Sequence, residues 1–327
     1  MKKNIINLIL ISSFSFLCSC NDEWKDEIYR NDIGLKAPIN SEGVTDVHLR
    51  YEENGETTYQ LPVIVGGSLV NKADLNVQIS VDKDTLKSLN EERWKLREDL
   101  YYKELPENNY DLKDGICRIS AGNSVGLFDI KFKFSELDLR YQWVLPLTII
   151  DKPDYNPNPI KNYRKALLRI NPFNDYSGTY SATSMNVFIG DNSSPMVVTS
   201  RKMFVVSKNK CFFYAGVTSE ELLDREKYKV FVTFNEDGTL IVEPSDPENK
   251  MKFKLLDGSN PTYRISEEKD AVYPNILHKY ITISMNYEYY DVSTYEDYPI
   301  YYRAEGTMTM ERRYDTLIPD QDQAILW

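Results

Sequence analysis

The stretch LFDIKFKF, residues 127–134, decides the fold class because its apolar and polar side chains alternate with a period of two. Phe128, Ile130, Phe132 and Phe134 share one face of this segment. The pattern predicts a half-buried β-strand in an antiparallel sheet that has one face in water. LNVQISV, from Leu75, repeats the same alternation.

Other segments of the first half of the chain extend this pattern. Strand-like runs read LPVIVGGS from Leu61, ICRIS from Ile116 and WVLPLTII from Trp143. By contrast, three- and four-residue spacing predicts one or two short helices after a cap at Asp84, and the residues that show it are Leu86, Leu89, Arg93, Leu96 and Leu100. Short strands with one helical excursion favour an immunoglobulin-like sandwich.

A second series of strands follows a proline-rich connection. The segment DKPDYNPNPIKNY, from Asp151, carries three prolines that disfavour helix and sheet, and RKALLRI after it predicts a last strand of the first domain. Later strands read CFFYAGV from Cys211, YKVFVTF from Tyr228, TLIVE from Thr239, YITISMNYEYY from Tyr280 and IYYRAEGTMTMERR from Ile300. NEDG, ending at Gly238, predicts a tight hairpin turn.

Such a meander of long strands favours a closed or nearly closed barrel, because closure removes exposed sheet edges. The sequence therefore predicts an all-β protein. An immunoglobulin-like β-sandwich spans residues 39–171, and an antiparallel, lipocalin-like β-barrel spans residues 172–327.

The first twenty residues predict the location of the protein. Lys2 and Lys3 precede an apolar run that is too short for a permanent membrane span and fits a signal peptide, residues 1–19. LCSC, ending at Cys20, resembles a bacterial lipobox, which implies a lipid on Cys20 and a tether over residues 20–38. The acids after Cys20 resemble the tag that exports Bacteroidetes-type lipoproteins to the outer face of the outer membrane.

Composition disfavours several classes of function. The chain has 327 residues and a formal net charge of −11, so binding to nucleic acid is not expected. His48 and His278 lie far apart, and no cysteine or histidine has the spacing of a zinc ligand, so no metal or cofactor is predicted. Cys117 and Cys211 are expected to be buried free thiols in separate domains.

Tyrosine is concentrated near the carboxyl terminus, where ten of the 24 tyrosines lie between Tyr273 and Tyr314. Sugars stack on aromatic rings and hydrogen-bond to carboxylates, so this composition suits carbohydrate binding. Alternation assigns Tyr287 and Tyr289 to the core. The carbohydrate-binding candidates, expected in a loop, are Tyr290, Tyr295, Asp297 and Tyr298.

Several segments carry a family resemblance. NVQISVDKDTLKSLN, ISAGNSVGLFDIKF and YQWVLPLTI resemble the N-terminal sandwich domain of Bacteroidetes-type surface lipoproteins linked to polysaccharide utilisation. PFNDYSGTYSAT, AEGTMTMERR and LIPDQDQAI are similar to the C-terminal β domain that accompanies it. The resemblance implies a part in glycan uptake beside other outer-membrane proteins, and it implies no catalytic residues.

The sequence therefore predicts a non-catalytic surface lipoprotein that binds carbohydrate for a glycan-uptake system. Two alternatives stay open. One is a glycoside hydrolase with two carboxylates about 5 to 9.5 Å apart in one cleft. The other is a structural lipoprotein that contacts other proteins of the cell envelope through an exposed apolar patch.

Overall fold

The computed structural model describes residues 30–52, 54–67, 70–134, 137, 139, 141–293 and 298–318. The predicted signal peptide and Cys20, the predicted site of lipid attachment, lie outside the described residues. Within the ranges just given, no helix is long and apolar enough to cross a membrane.

The amino-terminal half forms two facing sheets. Its strands are β1 Asp32–Leu35, β2 Thr45–Arg50, β3 Glu56–Val65, β4 Leu75–Val81, β5 Lys103–Glu104, β6 Tyr110–Asp111, β7 Ile116–Ile119, β8 Val125–Lys133, β9 Trp143–Ile149, β10 Asn156–Pro157 and β11 Lys165–Phe173. One sheet has the order β10-β1-β3-β8-β6, and the other has the order β2-β11-β9-β4-β7, with β5 paired to β9. The proline-rich segment thus lies within this half, since its strand β10 pairs with β1.

The core between these sheets confirms the predicted sandwich. Phe128, Ile130 and Phe132 of β8 are buried there, as their alternation predicts. Three pairings differ from the antiparallel expectation. Strand β1 runs parallel to β10, β5 runs parallel to β9, and β2 runs parallel to β11 over six residue pairs, from Thr45 to Arg50. An early strand of the sandwich therefore lies beside its last strand.

A helix covers part of the outer face of the β2–β11 sheet. Helix α1, Lys83–Trp94, follows strand β4, and a 3₁₀ turn, Glu98–Leu100, follows the helix, which confirms the predicted helical excursion. The N-cap is Asp82 and not Asp84, because the Asp82 carboxylate accepts a hydrogen bond from the backbone N–H of Thr85. The buried side chains between helix and sheet are Val44, Leu86, Tyr102, Val144 and Leu167. A second 3₁₀ turn, Glu107–Asn109, and a short helix α2, Lys161–Arg164, complete this half.

The carboxyl-terminal half is a nearly closed barrel, as predicted. Its strands are β12 Gly178–Ile189, β13 Met196–Val197, β14 Ser200–Ser207, β15 Lys210–Tyr214, β16 Lys229–Phe234, β17 Leu240–Pro244, β18 Lys254–Leu255, β19 Thr262–Lys269, β20 Ile276–Asp291 and β21 Ile300–Asp315, with a 3₁₀ turn at Arg225–Tyr228. The order is β17-β16-β15-β14-β12-β21-β20, β18 and β19 pair with β20, and β13 pairs with β12. A bridge between Thr239 and Thr262 joins the two edges. The predicted turn at Gly238 is confirmed, and this glycine has a φ of +83°.

Aromatic side chains fill the barrel interior. Tyr287 and Tyr289 are each 1% exposed and pack with Tyr180 and Tyr228, so their predicted core placement is confirmed. Cys211 lies in this core and Cys117 lies in the sandwich core, and both are buried free thiols, as expected. Burial raises the pKa of Cys117 to about 11 and that of Cys211 to about 12.

The two halves meet at the turn Asn174–Ser177, between β11 and β12. The Asn174 side chain caps this turn by accepting the backbone N–H of Ser177 at 2.8 Å. The buried Arg312 guanidinium of β21 donates to two backbone carbonyls of the turn. Arg50 of β2 pairs with Asp175 at 2.8 Å. Side chains from both halves therefore fix the joint between them.

Candidate functional site

A cleft of about 590 Å³ lies between the sandwich and the barrel. Its floor is the outer face of β2 and β11, beyond the part that helix α1 covers. Its far wall comes from β14 and β15 of the barrel. The segment after α1, the residues before β9 and a barrel loop at residues 220–226 form the rim.

Four polar side chains, here called the polar ladder, form the floor. They are Asp46 and His48 of β2 and Arg169 and Asn171 of β11. Strand alternation turns the apolar neighbours of these residues into the core and leaves the ladder on the outer face. The parallel register places Asp46 beside Arg169 and His48 beside Asn171. Pairing between two distant parts of the chain therefore builds the floor.

Asp46 organises the ladder because its carboxylate accepts three hydrogen bonds. The donors are Arg169 Nε, Asn171 Nδ2 and Asn40 Nδ2, each at 2.6 Å. Burial alone would raise the pKa of Asp46, but these hydrogen bonds and the charge of Arg169 lower it overall. Asp46 is therefore ionised and held in place at neutral pH.

Glu42 extends this network toward helix α1. Its carboxylate accepts hydrogen bonds from Arg169, from Arg93 at 3.3 Å and from the Tyr102 hydroxyl at 3.2 Å. Burial, with a smaller effect of the Glu42 charge, raises the pKa of Tyr102 to about 12. The Tyr102 hydroxyl therefore stays protonated as a donor to Glu42.

His48 is uncharged in this setting. Burial lowers its pKa to about 4, although Asp46 opposes the shift. A neutral imidazole has one N–H donor and one nitrogen acceptor, which is the same pair of capacities that a hydroxyl group offers. The floor thus combines an ionised carboxylate, a guanidinium, an amide and a neutral imidazole.

Aromatic rings border the cleft. Tyr141 is 39% exposed, the Lys103 ammonium lies 3.1 Å from its ring centroid, and Trp143 contacts it edge-on at 6.0 Å. Trp94 and Tyr101 line the side next to α1, and Phe204 lines the barrel wall. Phe204 stacks on Phe212 at 4.8 Å. Packing therefore holds these rings in place before any ligand binds.

An ion-pair strap spans one side of the cleft. Arg225 of the barrel donates to the Asp99 carboxylate at 3.1 Å and to the Asp99 carbonyl at 2.8 Å. Arg97 pairs with the same carboxylate and donates to the backbone carbonyl of Glu221 at 2.8 Å. The hydrogen bond from Arg97, with a further one from Arg225, lowers the pKa of Asp99 to about 2.

Of the residues singled out from the sequence, Tyr290 and Tyr298 lie outside the cleft. Tyr295 and Asp297 fall outside the described residues. Tyr290 was expected in a loop, but it belongs to β20, where its ring packs on Tyr301 at 5.4 Å and under the Lys252 ammonium at 5.5 Å. Tyr298 is 78% exposed. Tyr290, Tyr298 and Tyr301 are here called the strand-end patch, and none of them lines the cleft.

The cleft was missed because its floor depends on the parallel pairing of β2 with β11. The alternation in LLRINP, residues 167–172, is a usable signal, because it places Arg169 and Asn171 on the outer face. It does not identify the neighbouring strand. In the part of the chain that the structure describes, no group of three or more His, Cys, Asp or Glu side chains could hold a metal ion.

Comparison with known proteins identifies relatives along nearly the whole chain. A model of a domain of unknown function, DUF4973, matches residues 24–153, and a model of a C-terminal domain matches residues 164–309. A Bacteroides ovatus protein of unknown function is 44% identical, with a TM-score of 0.80 over 90% of this chain and 100% of its own. The chain belongs to the same family as this protein.

Two further solved structures belong with it. A multidomain Bacteroides ovatus protein that includes DUF1735 is 42% identical, with a TM-score of 0.79 over 90% of this chain and 99% of its own. A protein named as an auxiliary nutrient binding protein, from Bacteroides thetaiotaomicron, is 32% identical, with a TM-score of 0.78 over 89% of this chain and 100% of its own. No functionally curated protein matches the chain.

Proposed function

We propose that this family member is a lipid-anchored outer-membrane lipoprotein that binds carbohydrate in the cleft and passes it to outer-membrane uptake proteins without covalent chemistry. The lipobox that ends at Cys20 supports the anchor. The relative named as an auxiliary nutrient binding protein supports a binding role.

The observation that carries the proposal is the pairing of a polar floor with an aromatic rim. A sugar ring offers a flat C–H face for stacking on Tyr141 or Trp94, and its hydroxyls can reach the donors and acceptors of the polar ladder. Asp46, Arg169 and Asn171 already hold one another in place, so binding costs little ordering of these side chains.

The same geometry argues against hydrolysis at the floor. A general acid in a glycoside hydrolase needs a raised pKa, whereas the pKa of Asp46 is lowered. Its neighbour Glu42 shares the Arg169 guanidinium with it. We therefore assign these carboxylates to positioning and hydrogen bonding.

We propose that the residues predicted from the sequence form an outer contact with the same ligand. Tyr298 has the exposure that such a contact needs. The strand-end patch, with Tyr295 and Asp297 near it in sequence, would then add a weaker second contact that raises overall avidity.

A binding screen tests the carbohydrate proposal. The chain from Asn21 onward, without signal peptide or lipid, is run through affinity gels that contain single polysaccharides, with product analysis of each. We expect retardation without cleavage, and a loss of about 10-fold in affinity for Tyr141→Ala.

Tyr163→Ala is the matched control, because Tyr163 is 48% exposed and lies beside Gly34 of β1, away from the cleft. This variant should bind as the wild type does. Cleavage products, or no retardation across a broad panel, would overturn the proposal.

The lipid anchor needs a separate test. In the native host, the full chain and Cys20→Ala are compared by mass spectrometry of the amino-terminal peptide and by protease digestion of intact cells. We expect a diacylglycerol-modified Cys20 and surface cleavage of the wild type alone. An unmodified Cys20 would contradict the anchor and leave the binding proposal standing.

A further inference from the structure

We infer that the cleft selects uncharged sugar chains and rejects chains that carry carboxylate or sulfate groups. This inference rests on the proposed function and adds the chemical class of the ligand. It follows from the charges that line the cleft, from the partners of its cations and from the neutral polar groups in its lining.

Carboxylates dominate the lining. Three cationic side chains, Arg169, Lys202 and Arg225, face twice as many acids. The acids are Glu42, Asp46, Asp99, Glu220, Glu221 and Glu226. With His48 uncharged, the lining carries a formal charge of −3, and the whole chain carries the same sign at −11. Arg93, Arg97 and Lys229 pair with Glu42, Asp99 and Glu226 from outside the lining, so an anionic chain meets repulsion mainly from Glu220 and Glu221.

The cations of the cleft already have partners. Arg169 pairs with Asp46 and Glu42, and Arg225 pairs with Asp99. An anionic ligand would have to compete with carboxylates that the fold holds against these guanidiniums at high effective concentration. The Lys202 ammonium lies 5.0 Å from the Phe204 ring centroid.

The remaining polar groups suit hydroxyls. His48 is neutral, and the amides of Gln142 and Asn171 keep both a donor and an acceptor beyond their bonds to Arg169 and Asp46. A sugar hydroxyl also donates and accepts, so it can bond to these groups in either direction. A carboxylate or sulfate only accepts, and it would leave the acceptor side of each group unsatisfied.

Matched polysaccharides test the inference. Neutral galactan, mannan, xyloglucan and mixed-linkage β-glucan are compared with the same materials after oxidation of their primary hydroxyls to carboxylates. For any neutral ligand that binds, we expect the oxidised form to bind at least about 10-fold more weakly at low salt. Added NaCl should narrow this gap, because salt screens the repulsion.

Each result has a distinct meaning. Equal or tighter binding of an oxidised form would overturn the inference and leave carbohydrate binding standing. Failure of both neutral and oxidised forms across the panel would overturn the proposed function, and the inference with it. If salt does not change the difference in affinity between neutral and oxidised forms, the difference is not electrostatic and the inference is overturned.

A charge-reversal pair provides the control within the protein. Glu220→Lys with Glu221→Lys should raise the ratio of oxidised-form to neutral-form affinity by about 5-fold or more. The matched pair Glu236→Lys and Glu248→Lys makes the same change in net charge on exposed barrel residues outside the cleft. That pair should leave the ratio unchanged, and an equal rise in both pairs would contradict a local effect of the cleft.

Discussion

The cleft and the strand-end patch both carry aromatic rings, but only the cleft combines them with a concave polar floor. In the cleft, Asp46 holds Arg169 and Asn171 at hydrogen-bond distance below the rim. In the patch, Tyr290 and Tyr301 pack on each other on the outside of the barrel. A high number of tyrosines in a segment therefore reflects their packing in β-strands as much as any role in ligand binding.

The largest expected effect comes from Asp46→Ala, which removes the carboxylate that accepts hydrogen bonds from Arg169, Asn171 and Asn40. We expect sugar affinity to fall by about 50-fold or more and the free energy of unfolding to fall by about 2 to 3 kcal/mol, because Arg169 loses a partner in a partly buried site. Isothermal titration and urea unfolding measure the two changes.

Asp129→Ala is the control for this variant, since Asp129 bonds Gln60 and Lys113 on the other sheet of the sandwich. It should leave sugar affinity unchanged. Wild-type affinity in Asp46→Ala would remove the floor from the site and favour the strand-end patch.

The next effect is a pH dependence of stability that comes from His48 in the floor of the cleft. The pKa of His48 is about 4 in the folded protein, against an ordinary value of 6.5. Between pH 4 and pH 6.5, His48 is therefore protonated in the unfolded chain and neutral in the folded protein. Stability should therefore fall as the pH drops from 6.5 to 4, by up to about 3 kcal/mol from this group alone.

His48→Asn should lack this part of the slope, and urea unfolding at pH 4, 5, 6 and 7 measures the difference. Parallel profiles for the two proteins would mean that His48 is well solvated. The cleft floor would then be as accessible to water as the strand-end patch, which would contradict the comparison drawn above.

A smaller effect is expected for the strap. Asp99→Ala breaks the contact of Arg225 and Arg97 with this carboxylate, while the joint around Arg312 stays intact. Because such exposed pairs contribute little, we expect a loss of about 3-fold in sugar affinity. Asp224→Ala, which breaks a pair with Lys227 inside the barrel loop, should have no effect on sugar affinity. Equal losses in both variants would show that the strap does not shape the cleft.

The smallest effect involves His278, on the barrel and outside the cleft. Hydrogen bonds to Glu311 and Asp270 raise its pKa, so its stabilising contribution is complete below pH 6.5 and is lost as the pH rises through the folded value. The Tm of His278→Gln should approach that of the wild type as the pH rises from 6 to 9, with unchanged sugar affinity. A Tm gap that widens with pH would contradict this sign.

Local patterns were sufficient to predict the fold class. The alternation around Phe128 gave a sandwich strand, Gly238 gave a hairpin turn, and Tyr287 and Tyr289 lie in the core as predicted. These features depend on the period of two and on backbone conformation, both of which can be read within a few residues.

The candidate site depends on a contact that local patterns do not contain. Asp46 and Arg169 are neighbours only because β2 pairs in parallel with β11. Tyr290 illustrates the reverse error, because a loop was expected where β20 continues to Asp291. The aromatic content of this segment suggested a binding site there, whereas the cleft is formed by the pairing of two strands that are distant in sequence.

One titration tests the central claim most directly. A neutral oligosaccharide that binds the wild type is titrated into Tyr141→Ala and Tyr298→Ala under identical conditions. If the cleft is the main site, Tyr141→Ala should lose about 10-fold in affinity, and Tyr298→Ala should stay within about 2-fold of the wild type. The opposite ranking would place the main site at the strand-end patch and contradict the account.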